Sequence, residues 1–322
     1  VGCIFSQNIS QFVALRFVQG IAGAGGVVIS RSIAADKYSA HELAGMLATI
    51  GAINGIATVV APIGGGVLAD FGGWHGIFWF LFIVGVLLII GSMRFRESLP
   101  GGQRQTIRWG DMYRRFGIVL HNRQYVRYIL QYGFTMGVLF TNIASAPFIM
   151  QQYYGLSPML FSFCFGVNAV AMVISSALAV RFSTMERALH VGNHGMLFIS
   201  ILLSVAFFLD CNFWIYEILI FCLLAMVGMT FTASNTLAMD CERKNAGVAS
   251  ALLGAIGFAF GGIVSPLVGM GDIRMSTGFL FFMGSLCSCV CACFSFHRLP
   301  FRKKVLNFAP YRIINVFLQK LL

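Results

Sequence analysis

Charge is what this chain has least of. Asp, Glu, Lys and Arg together make up 10% of its 322 residues, against about a quarter in a soluble domain. That deficit excludes a water-soluble enzyme and leaves a polytopic membrane protein. Acids are scarcer than bases, 11 against 22, and the apolar stretches hold almost none. An integral-membrane enzyme would need paired acids, a metal-binding cluster or a Ser/His arrangement at membrane depth, and these stretches do not supply one. The sequence has no G-x-x-x-x-G-K-[ST] loop, which argues against direct use of ATP. It has no repeated filter-like segment of the kind a channel needs. Its first residues do not read as a cleavable signal peptide. The chain opens on Val1 within an ordered pattern, and the expectation is a fragment or a truncated reading frame.

Hydrophobic residues fill 58% of the chain, and the formal net charge is +11. In a soluble protein that charge would point to nucleic acid. Here the bases lie between apolar runs, where they set topology, so no nucleic-acid partner is expected. The nine cysteines are scattered. Cys287, Cys289, Cys291 and Cys293 alternate within an apolar run, and alternate positions on a helix diverge by about 200°. Only Cys287 and Cys291 share a face, without a His or an acid beside them. They read as small apolar packing residues, and neither metal nor cofactor is expected.

A helix needs about 20 apolar residues to cross a bilayer. Nine stretches qualify: residues 12–30, 43–69, 76–93, 128–150, 159–180, 191–209, 213–239, 245–271 and 275–296. Every Lys and Arg except Arg16 and Arg274 falls at alternate loops or in the tail. Basic loops stay in the cytoplasm, so the C-terminus is expected inside and the first residue outside. The expected fold is an all-α polytopic membrane protein. Residues 1–93 close one helical half and 94–127 form a basic cytoplasmic loop. Residues 128–296 form a second half of six helices, and 297–322 form a basic cytoplasmic tail. Within that tail, 305–322 reads either as an interfacial helix or as a non-homologous extension.

The second and eighth stretches resemble each other. Gly45 matches Gly247, Gly51-Ala52-Ile53 matches Gly254-Ala255-Ile256, and Pro62 matches Pro266, with one-residue slips between the blocks. A match six spans apart is what two parallel halves related by an axis along the membrane normal would give. Gly51-x-x-x-Gly55 and Gly257-x-x-x-Gly261 remove bulk from one helix face and allow close backbone approach. Pro62 and Pro266 each delete a helix hydrogen bond and favour a bend. Tight packing and a moving interface both fit such a helix taken alone, and the pair favours the moving interface.

Arg16 and Gln19-Gly20, followed by Ala22 and Ala24, fit an R-x-x-Q-G pattern with small residues after it. Arg31 and Asp36 extend it, with Ala35 where a second Arg is common. Ala61-Pro62-Ile63-Gly64-Gly65-Gly66 fits a small-Pro-x-x-Gly-Gly ending, although Ala48 and Ala57 stand where glycines are usual. Gly73-Trp74-His75-Gly76-Ile77-Phe78-Trp79-Phe80, Arg96-Glu97-Ser98-Leu99-Pro100, Gly133-Phe134, Ala146-Pro147-Phe148 and Ser234-Asn235 add to the match. With these motifs the chain resembles the major facilitator superfamily, and within it the Bcr/CflA (bicyclomycin-resistance) drug/proton antiporters. The resemblance runs to about Phe296, as helices four to twelve of twelve.

It implies secondary active efflux of small hydrophobic or amphipathic drugs, or of a metabolite, in exchange for protons. It also implies a multi-pass monomer in the inner (cytoplasmic) membrane. The alternative is a non-functional remnant truncated at its N-terminus. A charge inside a span costs about 2.5–3.5 kcal/mol on insertion scales and marks a functional site by default. The resemblance gives Arg16 and Gln19 a role in proton coupling and cavity organisation, since a cation beside a carboxyl favours its charged form. The bland alternative is an Arg16 that snorkels to the surface. Gly51, Gly55, Ala61, Pro62, Gly65, Gly66 and Pro266 form the implied antiporter-motif hinge. Gln131, Asn142, Asn168 and Asn235 either line a substrate cavity or simply join helices. Glu217, near the start of the seventh stretch, is expected to face the outer interface.

Overall fold

The computed structural model describes residues 1–37, 40–94, 109–242 and 245–296; within these, the side chains of 24–25, 27–37, 40–56, 58–59, 62–63, 109, 111–112, 246 and 293–296 fall outside the description. Every regular element among the described residues is helical. A short 3-10 turn, Gly2–Phe5, precedes α1 (Ile9–Lys37) and α2 (Ala40–Met93). Then come α3 (Trp109–His121), α4 (Arg123–Pro147), a π-helical segment (Phe148–Tyr153), α5 (Pro158–Ala179), α6 (Met185–Phe208), α7 (Phe213–Cys241), α8 (Ala246–Leu267) and α9 (Ile273–Phe296). Seven helical stretches among the described residues are long and apolar enough to cross a bilayer, the first being Gly64–Met93. The fold is an all-α membrane bundle.

Three features depart from the sequence reading. The stretches 43–69 and 76–93 are not joined by a loop. They share the helical run of α2, interrupted at Gly73 with φ 58° and ψ −165°. Glycine alone reaches that conformation without a Cβ penalty, so one residue does the work of a linker. The basic stretch 94–127 contains a helix, α3, with Phe116 half-buried and Val119 buried on one face. Its apolar residues recur at helical spacing between the arginines. Finally, α4 starts at Arg123, so Arg123 and Arg127 lie within its first turns. The segment 95–108, Arg243 and Lys244, and the tail 297–322 lie outside the described residues.

Side-chain caps fix the helix starts. Asn122 Oδ1 accepts from the backbone N–H of Gln124 and Tyr125 at 3.1 and 3.3 Å. Ser157, Thr184 and Asn212 do the same for α5, α6 and α7. Each cap satisfies donors the first turn leaves free.

Helices α4 to α9 pack as one unit, in which α4 touches α7, α8 and α9 and α7 touches α5 and α6. Lipid tails are as apolar as leucine, so close packing must hold such a unit together. Glycines provide it. A Cβ at Gly257 would lie 2.8 Å from Tyr132, one at Gly261 2.5 Å from Phe140, and one at Gly133 2.9 Å from Phe260. The rings of α4 and α8 thus seat on each other's glycines. Gly228 of α7 lies against α5, where its carbonyl accepts from Ser176 Oγ at 3.0 Å.

Candidate functional site

Arg16 and Gln19 lie one turn apart on α1, and Arg16 Nη1 donates to Gln19 Oε1 at 2.8 Å. The guanidinium also stands 5.6 Å from the centroid of Phe78, within cation–π range. Phe78 belongs to α2 beyond the Gly73 break. There it meets Phe12 and Trp74 edge to face, at 5.6 and 5.9 Å. An open groove lies beside this cluster, lined by Phe12, Trp74 and Phe78. The sequence pattern R-x-x-Q therefore forms one polar unit capped by an aromatic wall from the next helix.

Gly51, Gly55 and Pro62 lie in the helical run of α2, with side chains outside the described residues. Ala61 is exposed, and a Cβ at Gly65 would meet nothing. Gly66 differs from both. It is buried against α5, where a Cβ would come within 2.7 Å of Ser162 Cβ and 3.6 Å of the Pro158 carbonyl. The motif's last glycine marks the place where α2 meets the α4–α9 unit. Pro266, its counterpart in the repeat, sits in the last turn of α8. The hydrogen bond it cannot donate lies at the helix end, and α8 stops one residue later, at Leu267.

The four amides lie on three helices, α4, α5 and α7. Gln131 and Asn142 are buried on α4 at 0% and 1% exposure, three turns apart on one face. Thr135 and Val138 share that face and meet α9 at Ser288 and Gly284. Both amide atoms of Gln131 and Oδ1 of Asn142 have no hydrogen-bond partner. Asn235 is half-buried on α7. Asn168, in the middle of α5, donates from Nδ2 to Glu217 Oε1 at 2.9 Å. Among the described residues no hydrogen bond joins any two of these four amides.

Two arrangements escaped the sequence reading. Glu217 is half-buried and accepts a hydrogen bond from Asn168 of α5. A buried hydroxyl chain also links three helices. Thr135 Oγ1 lies 3.5 Å from Ser288 Oγ, which donates to Asn193 Oδ1 at 2.9 Å. The available signal was a polar residue inside an apolar run, without any indication of its partner on another helix.

The family model of the Major Facilitator Superfamily matches residues 1–266. The chain belongs to the major facilitator superfamily. This facilitator is 34% identical over 276 residues to an uncharacterized MFS-type transporter, YdgK, of Bacillus subtilis, covering 84% of this chain and 69% of that one. It is 30% identical over 302 residues to a bicyclomycin resistance protein homolog of Haemophilus influenzae, covering 87% and 71%. It is 23% identical over 285 residues to multidrug resistance protein MdtL of Escherichia coli, covering 87% and 71%. The facilitator is a membrane transporter of small molecules and not an enzyme.

Proposed function

We propose that this facilitator exports small hydrophobic or amphipathic drugs in exchange for protons, as an antiporter of the Bcr/CflA type. It works as a monomer in the inner membrane with its C-terminus in the cytoplasm. Residues 1–93 close one half of the carrier, 94–127 connect it through the basic segment that holds α3, 128–296 form the second half, and 297–322 form the tail. The names of its relatives support drug export, since bicyclomycin resistance and multidrug resistance both appear among them. The observation that carries the proton-coupled reading is the Arg16–Gln19 contact under Phe78. Both residues are exposed on the surface of α1, and a cation set in an apolar stretch marks a functional site by default. Gly51, Gly55, Ala61, Pro62, Gly65, Gly66 and Pro266 give the small-residue seams along which the halves rock, and the Gly66–Ser162 contact is where that motion starts. Gln131, Asn142, Asn168 and Asn235 supply polarity inside the second half.

The test is ethidium flux in inside-out membrane vesicles containing the full chain. Flux should follow an imposed pH gradient, stop when a protonophore collapses it, and fall at least tenfold in Arg16→Gln. Flux that ignores the gradient, or an Arg16→Gln protein that transports normally, would remove the reading. A complete lack of flux would favour the remnant.

A further inference from the structure

Glu217 stands in the second turn of α7, and it is the acid that the α4–α9 unit carries inside a span beyond the helix ends. Its Oε1 accepts from Asn168 Nδ2 at 2.9 Å. Asn168 is 1% exposed. Two atoms of this pair, Glu217 Oε2 and Asn168 Oδ1, are buried without a hydrogen-bond partner. Both are acceptors when the carboxyl is ionised, so the ionised pair holds two buried lone-pair groups and no donor for either. A buried acceptor without a donor destabilises the fold, and a charged one does so more strongly. A proton on Oε2 changes the count: the carboxyl loses its charge and gains the one donor the pair lacks.

Among the described residues no cation is found acting on the pair. Cys164, one turn from Asn168 on α5, and Tyr216, beside Glu217 on α7, are the titratable neighbours within interaction range. The charged residues of α4 and α6, from Arg123 to Arg127 and from Glu186 to His194, sit at the opposite ends of those helices. Helix α8 carries no charged residue among those described. On α9, Arg274 is held by Asp210, and Asp70 on α2 is exposed.

We propose that Glu217, gripped by Asn168, is a proton-binding site within the α4–α9 unit, occupied at neutral pH. The proton comes from water, enters as an O–H on Oε2, and leaves the same way; no other bond changes. Its use in transport rests on the export reading above, and the site itself does not. The pair ties α5, which meets α2 at Gly66, to α7. Loading or emptying it therefore changes the contact between two helices of one half while a neighbouring helix faces the other half.

Infrared difference spectroscopy of the purified full chain in lipid nanodiscs tests this, with ordinary and carbon-13-labelled glutamate. Wild-type protein at neutral pH should show the carbonyl stretch of a protonated carboxylic acid. The label should move that band, high pH should bleach it, and Glu217→Gln should abolish it. In Asn168→Leu the band should persist at a higher wavenumber, because the carbonyl Oε1 loses its hydrogen bond; a merely structural asparagine would leave the frequency unchanged. The labelled wild-type spectrum stands alone if either variant fails to fold. No glutamate acid band at neutral pH, or one that survives in Glu217→Gln, would overturn the proposal. Ethidium flux separates the two readings. A band without proton-driven flux removes the export reading and leaves the site, and flux without a band does the reverse.

Discussion

Arg274 stacks its guanidinium over the ring of Tyr153, 4.2 Å from the centroid. The same guanidinium donates to Asp210 in the turn between α6 and α7, and the Tyr153 hydroxyl donates to that carboxylate at 3.3 Å. Three chain segments are pinned at one end of the bundle: the π-helical end of α4, the α6–α7 turn and the start of α9. Asp210 has φ 49°, a left-handed conformation that Asp and Asn tolerate better than most residues.

The hydrogen bond from Arg274, more than its charge alone, holds the Asp210 carboxyl below its usual range. A depressed value in the folded state stabilises above the ordinary carboxyl range and is lost as pH falls through the lowered value. Asp210→Asn keeps the backbone preference and removes the charge. Its melting temperature should lie below wild type at neutral pH, and the gap should close on acidification below that range. Thermal unfolding in detergent across pH checks this, and a gap that widens in acid would contradict it.

Gly66 should tolerate no side chain, unlike its neighbour. Gly66→Ala puts a methyl group against Ser162, and overpacking of this kind costs about 1–3 kcal/mol. Flux should fall severalfold. Ser162→Gly in the same protein should restore much of it, whereas Gly65→Ala should behave as wild type because its methyl group meets open space.

Gly261→Val should destabilise the α4–α8 seam by a similar 1–3 kcal/mol, since Phe140 occupies the space. Gly262→Ala, with nothing within reach of its Cβ, is the control. Thermal unfolding of both variants reads the difference.

Asn122→Ala removes the cap of α4 at a cost of about 0.5–2 kcal/mol. It also removes the 2.6 Å hydrogen bond from Asn122 Nδ2 to Glu242 Oε1. Among the described residues Glu242 then keeps the side chain of Asn245, which donates to its other oxygen at 3.0 Å. Hydrogen exchange should rise in the first turn of α4 and around the α7–α8 junction, and nowhere else.

The spans were legible because an apolar run of sufficient length has one stable form in lipid: each backbone group must pair within its own helix. The Arg16–Gln19 contact was legible too, because both residues lie on one helix a turn apart. Gly73 was harder to read. A break that occupies a single residue leaves no polar loop to mark it. Helix α3 was hidden by its arginines, which dominate the charge count while Phe116 and Val119 keep helical spacing. The Asn168–Glu217 pair joins helices separated by all of α6, and nothing in the spacing of one chain tells which polar residue of α5 faces which of α7. Gln131 and Asn142 share a face by arithmetic, but whether that face meets α9 or a cavity is decided by packing.

The π-helical winding from Phe148 to Tyr153 has a consequence for how this rim of the molecule can change. A π turn takes in more chain per revolution than an α turn, and here it follows Pro147, whose missing N–H loosens the preceding register. Removing one residue from the segment would let it relax to ordinary α winding, with Tyr153 and Tyr154 still delivered to their places. The same deletion in the middle of α4 would swing every later side chain around the axis. Insertions and deletions among close relatives should therefore gather in this one stretch, which acts as slack in an otherwise rigid rod.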